Sequence, residues 1–156
     1  MNSTISRWSK SEVDHFDEAE WKRQSPYFTM GELRSKGDGS LVVNWHALNA
    51  LNLLRKRSGF TMILNSAYRD PEHNRKVGGA KQSFHLIGRA FDVSTVNWMD
   101  AHVVSFIHHA TLCDFRGFGL YLDRERPFIH IDTGPHRTWQ VGQNALDDTD
   151  DVYEIL

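Results

Sequence analysis

A chain of 156 residues has the length of one domain and is long enough to bury a hydrophobic core without staples. Eighteen Lys and Arg against twenty Asp and Glu leave a formal net charge of −2, so no global positive field collects nucleic acid or an anionic membrane. The single cysteine, Cys113, excludes an internal disulfide and a Cys-rich zinc finger, and no apolar run approaches the ~20 residues of a membrane-spanning helix.

Met1 to Trp8 is polar and lacks the apolar stretch of a secretory leader. Glu12 to Arg23 carries Val13, Phe16, Ala19 and Glu20 at roughly helical spacing, so residues 1–26 read as a short helix or a loosely docked arm. Gly31, Gly37 and Gly39 mark loop. Asn44 is a suitable N-cap for a helix over Trp45–Arg57, with Leu48, Leu51 and Leu54 on one face, a basic end and a Ser58-Gly59 stop. Phe60–Ser66 is short and apolar and predicts a buried strand. Asp70-Pro71 opens a helix reaching Val77, and Gly78-Gly79 ends it.

Lys81–Gly88 reads as loop and Arg89–Ser94 as a strand, with Ala90, Asp92 and Ser94 on one face and Phe91 and Val93 on the other. A helix over about Asn97–Leu112 follows. Phe118–Leu122 and Phe128–Thr133 are strands joined by the turn Asp123–Pro127. Residues 27–140 form the globular domain, and residues 141–156 an acidic, solvated tail. Helices and antiparallel strands in irregular alternation make the fold class α+β.

Two segments carry chemistry. Ser83–Asp92 places His85 seven residues before Asp92, and Phe128–Gly134 contains His130 and Asp132. On a strand, residues two apart share a face, so His130 and Asp132 point together while Ile129 and Ile131 face the core. Asp92, inside a hydrophobic strand pattern, is expensive to bury unless it is paired or holds a cation. Two imidazoles and one carboxylate make the three-ligand zinc set that leaves a fourth position to water. The other histidines lack such partners; His108 and His109, adjacent on one helix, face about 100° apart. Cys113 ends an amphipathic helix with no glycine elbow, which argues against a cysteine nucleophile. Trp139 reads as a core plug.

The run S-x-H-x-x-G-x-A-x-D, at Ser83, His85, Gly88, Ala90 and Asp92, resembles the signature of the zinc D-Ala-D-Ala carboxypeptidase family of peptidoglycan peptidases, which has the Hedgehog/DD-peptidase fold. So does the upstream S-x-Y-R at Ser66, Tyr68 and Arg69, followed by Pro71, Asn74, Gly78 and Gly79. The downstream run Phe128–Trp139 resembles that group's last ligand strand. The resemblance implies a small antiparallel sheet flanked by helices and zinc ligands at His85, Asp92 and His130. It also implies an Arg69 that holds the substrate carbonyl or its oxyanion, and Ser83 and Tyr68 near the substrate. Its fixed cationic guanidinium suits Arg69 to that task.

Relatives often carry an acidic residue or a histidine two or three places before the last ligand; here those places hold Phe128 and Pro127. Asp132 reads as the general base, or as a partner that orients a ligand imidazole, with Asp123 and Glu125 of the turn as further options. The activity implied is Zn²⁺-dependent hydrolysis of stem-peptide amide bonds, as carboxypeptidase or endopeptidase, by a monomer that binds neither nucleic acid nor membrane. The alternative is a non-catalytic zinc-containing module that binds wall peptides or a protein partner. Without a leader, such a protein is expected to be cytoplasmic until released, or phage- or prophage-associated.

Overall fold

The structure, a computed structural model, describes residues 4–142 and the backbone of residues 152–154. The N-terminal segment is a strand and two short helices docked on the domain. β1 (Ile5–Trp8) is followed by α1 (Lys10–Asp14), α2 (Glu18–Gln24) and then α3 (Met30–Leu33). The helical spacing of Glu12–Arg23 is divided because two caps compete within it. Ser9 forms a capping box with Glu12, and the Asp17 side chain accepts from the Glu20 N–H at 2.9 Å. Trp8, Phe16, Trp21 and Trp45 meet largely edge-to-face with ring centroids 5.8–6.4 Å apart, which fixes this segment to the rest of the chain.

β2 (Leu41–Asn44) pairs antiparallel with β1, Ile5 opposite Asn44 and Trp8 opposite Leu41. It runs directly into α4 (Trp45–Ser58), where Asn44 caps the Ala47 N–H at 3.0 Å and Gly59, at φ 70°, closes the helix in the left-handed conformation. The next strand, β3, covers only Leu64–Ser66. The expected start at Phe60 fails because Phe60 is drawn to the rings of Trp98 and Phe106, at 5.2 and 6.1 Å, instead of joining the ladder. α5 (Pro71–Lys76) begins where Asp70 and Pro71 predict.

A 3₁₀ turn at Phe84–Ile87 occupies the expected loop, and β4 (Ala90–Ser94) comes next. α6 (Asp100–Leu112) starts three residues later than its apolar pattern suggests, because Thr95–Trp98 closes a turn through the Trp98 N–H to Thr95. β5 (Gly117–Tyr121), β6 (Phe128–Asp132), β7 (Arg137–Val141) and β8 (Val152–Glu154) complete the chain.

The main sheet has six strands in the order β3-β4-β6-β5-β7-β8; every pairing is antiparallel except β5 with β7. The mixed α and β content and the largely antiparallel sheet carry the α+β class. β7 and β8 extend the sheet beyond the two-strand hairpin that the sequence pattern suggests. Of the solvated acidic tail expected over 141–156, residues 143–151 and 155–156 lie outside the described residues.

One face of β4 and β6 presents Phe91, Val93, Ile129 and Ile131 to α4 and α6, and these side chains share one continuous core with Leu48, Leu51 and Phe106. That is the period-two alternation of a half-buried sheet. It leaves Asp92 and His130 on the opposite face. No helix among the described residues is long and apolar enough to cross a membrane.

Candidate metal centre

Asp92 on β4 stands directly opposite His130 on β6 in the antiparallel register. Directly paired residues share a face, so their side chains meet by construction. His85 arrives from the 3₁₀ turn, which Ser83 opens by accepting the His85 N–H at 3.2 Å. Gly88 ends that turn at φ 69°, and a Cβ there would lie 2.6 Å from the Val42 carbonyl oxygen. Only glycine permits both the left-handed backbone and the close approach to β2 that swings the chain from His85 into β4.

One ligand atom from each of His85, Asp92 and His130 lies within 4.8 Å of the other two. Asp92 Oδ1 is 3.1 Å from His85 Nε2 and 3.0 Å from His130 Nδ1. The remaining ring nitrogens fix the tautomers. His85 Nδ1 meets the Ala67 carbonyl at 2.6 Å, and a carbonyl only accepts, so the proton sits on Nδ1 and Nε2 offers its lone pair. His130 Nε2 donates to Asp132 Oδ2 at 2.7 Å, which directs the Nδ1 lone pair inward. Two lone pairs thus converge on one carboxylate oxygen. Only a cation or a shared proton makes that arrangement favourable, and the two compete for the same atoms. Two imidazoles and a carboxylate at this spacing fit a divalent zinc ion.

The protonation equilibria arise from the same contacts. Burial pushes the His85 imidazole down, and Asp92 offsets this only in part. Burial opposes charge on His130 too, yet hydrogen bonds to Asp132 and Asp92 push it up to about 9. Burial would raise the Asp92 carboxyl, but His85 and His130 together hold it well below the usual carboxylate range.

Arg69 braces the other side of Asp92. Its Nη2 donates to Asp92 Oδ2 at 2.9 Å, its Nε to Ser66 Oγ at 2.9 Å and its Nη1 to Asn74 Oδ1 at 3.3 Å. Its backbone N–H also donates to the His85 carbonyl at 3.1 Å. One arginine therefore ties β4, α5 and the 3₁₀ turn together while leaving Asp92 Oδ1 to the cluster.

The cluster lies in a cleft of about 740 Å³ whose walls include Arg69, Ser83 and the aromatic side chains Phe84, Tyr121, Phe128 and Trp139. Tyr68 does not reach it. Only 9% exposed, it packs among Leu33, Val42 and Phe91, because successive residues of an extended chain face opposite ways and Arg69 takes the cleft side. Asp123 and Glu125 are exposed in the turn and do not line the cleft.

Asp132 is 0% exposed and lies behind His130, on the ring nitrogen facing away from Asp92. Its oxygens also accept from the Gly134 N–H at 2.9 Å and from Arg137 Nη1 and Nη2 at 3.1 and 2.7 Å. Burial would raise its carboxyl, but His130 and Arg137 hold it down at about 2. Asp92 is the only carboxylate among the described residues that lines the cleft.

Part of this wall is not legible in the sequence. Trp139, expected in the core, forms it instead, its ring 5.2 Å from His130 and its Nε1 donating to the Tyr121 hydroxyl at 3.0 Å. Gly119 on β5 leaves the space: a Cβ there would sit 2.5 Å from the indole. Neither residue carries a local signal, since β7 joins the β5–β6 pair only through its parallel pairing with β5.

Comparison with curated proteins finds no match to this sequence. The family model for Peptidase M15 matches residues 14–132, which span the 3₁₀ turn, Arg69 and all three cluster residues. With more than half of its length matched, and a His/Asp/His cluster able to hold a metal converging on one cleft, the chain belongs to the Peptidase M15 family.

Proposed function

We propose that this chain is a zinc-dependent peptidase that hydrolyses amide bonds in peptidoglycan stem peptides. The observation that carries the reading is the convergence of the His85, Asp92 and His130 donor atoms on the floor of an open, aromatic-walled cleft. Zn²⁺ held by these three residues supplies Lewis-acid polarisation of the scissile carbonyl and lowers the pKa of a water toward ~7.

The chain's own residues prepare that chemistry. The Ala67 carbonyl and Asp132 hold protons on His85 Nδ1 and His130 Nε2, so the opposite nitrogens stay available as ligands. Between general base and orienting partner, we assign Asp132 orientation, since its oxygens are occupied by His130, Arg137 and Gly134. Arg69, a cation that does not deprotonate, lies beside the cluster and steadies negative charge developing on the carbonyl oxygen. Ser83 and the aromatic walls position the peptide.

One observation favours the non-catalytic alternative: apart from Asp92, the cleft wall offers no carboxylate among the described residues to take a proton. The two readings separate on purified sacculi, incubated with native protein and with His85→Ala and Asp92→Ala variants. Fragments released into solution are identified by mass spectrometry. Free D-Ala or cleaved stem peptides, absent with chelator or either variant and restored by zinc, are expected. Intact sacculi that still retain bound protein would overturn the enzyme reading and leave the binding module. The released fragment also names the bond, and so distinguishes carboxypeptidase from endopeptidase.

A further inference from the structure

Three arginines line the cleft, and two of them are committed. Arg69 is tied to Asp92, and Arg137 to Asp132. Arg124, in the turn between β5 and β6, is different. Its guanidinium carbon lies 4.9 Å from the Tyr121 ring centroid and 5.6 Å from that of Phe128. Those two rings are themselves stacked, with centroids 4.4 Å apart and planes 9° from parallel. The arginine thus sits on an aromatic shelf that holds its plane without using its hydrogen-bond donors. Its Nε is buried and has no hydrogen-bond partner among the described residues.

A buried donor left unmade is costly, and native structures rarely carry one without a reason. The guanidinium fork matches a carboxylate in two parallel hydrogen bonds. Its position relative to the cluster is set by the sheet. Phe128 and His130 are two residues apart on β6 and share its cleft face, a separation of roughly 7 Å along the strand. An extended peptide advances roughly 3.3 Å per residue, so one or two residues span that gap.

We propose that Arg124 is a specificity-determining residue that receives a carboxylate of the substrate one or two residues from the amide being cleaved. The substrate class is then an acidic peptide. The carboxylate is either its C-terminus or the free α-carboxylate of an internal γ-linked glutamate. The inference rests on the peptidase reading for its substrate but is tested by binding, so the two can fail separately.

The probes are the synthetic pentapeptide L-Ala-γ-D-Glu-L-Lys-D-Ala-D-Ala, its C-terminal amide, and the form amidated at the glutamate α-carboxyl. Their affinities for the full-length chain are measured by calorimetry with chelator present, because the shelf and the free Nε exist without metal. One of the two amidations is expected to weaken binding about tenfold or more, the usual scale for losing a charge-assisted pair. Which amidation does so identifies the carboxylate. Arg124→Gln, which loses both the charge and the guanidinium fork, should bind the acid and that amide equally. Arg124→Lys, charged but without the fork, should retain part of the discrimination.

With zinc restored, any cleavage by Arg124→Gln should show a raised KM for the acidic peptide and a kcat within about threefold of native. If the native chain binds all three peptides alike, or none, or if Arg124→Gln discriminates as the native chain does, the assignment to Arg124 is wrong. If discrimination holds while no peptide is cleaved, the peptidase reading fails and the carboxylate site stands.

Discussion

Replacing Asp132 by asparagine preserves its shape and removes its charge, and the surrounding contacts set the cost. Oδ1 faces the Gly134 N–H and Arg137 Nη1; Oδ2 faces His130 Nε2 and Arg137 Nη2. An amide has one oxygen, so either orientation turns an NH₂ group against two donors at a site with no exposure to water. Each donor left buried without an acceptor costs roughly 1–3 kcal/mol, and breaking a buried ion pair on one side costs roughly 3–5 kcal/mol. Because Arg137 is partly exposed and can recover water, the low end applies, about 3 kcal/mol. For a chain of this length that is a fall in Tm of roughly 6–12 °C. If the amide NH₂ faces His130, the imidazole must move its proton to Nδ1, and the inward lone pair is lost. Zinc affinity should then fall about 10–100-fold, as is usual when a group that orients a metal-binding histidine is removed. Thermal melts with chelator and zinc titrations against a competing chelator measure the two effects separately. A melt within about 2 °C of native together with zinc affinity within about twofold would refute the orienting role of Asp132.

Local pattern and long-range pairing contributed differently to what the sequence discloses. The alternation in Ala90–Ser94 and Phe128–Asp132 shows which side chains enter the core and which stand opposite, because a strand's period is two whatever its neighbours are. The Asn44, Asp70 and Ser58-Gly59 signals mark helix ends, because capping is settled within four residues. What put Asp92 across from His130 is a register between residues 38 positions apart, and no local spacing encodes it; the family resemblance supplied that grouping. Tyr68 shows the limit of motif reading. It adjoins Arg69 in the sequence, yet alternation sends the two to opposite sides of the chain. Trp139 and Arg124 escaped for the converse reason. Trp139 reads as a core plug and Arg124 as an ordinary turn residue until β7 lies parallel to β5 and the turn folds back over the Tyr121–Phe128 stack.

Two further predictions concern the supports of the cluster. Gly88→Ala places a methyl group 2.6 Å from the Val42 carbonyl oxygen at φ 69°, so the turn carrying His85 must shift. Destabilisation of roughly 2–4 kcal/mol with weakened zinc binding is expected in urea unfolding and metal titration, and a native-like result in both would show that the turn adapts freely. Asp70 tests the pH dependence of folding. Burial would raise its carboxyl, but hydrogen bonds from the Ser35 hydroxyl and the His73 and Asp38 N–H groups outweigh that and hold it at about 2. A carboxyl held lower in the folded chain than in the unfolded one, at ~3.9, stabilises the fold fully above that value and loses the contribution as pH falls toward 2. The shift corresponds to roughly 2 kcal/mol. Asp70→Ala should therefore be less stable than native by at least that amount at pH 6, since it also loses the cap of α5. The gap should narrow as the pH is lowered from 4 toward 2. Urea melts across this range decide it: a gap that stays constant with pH would mean that the carboxylate's charge contributes nothing and that the loss comes from packing alone.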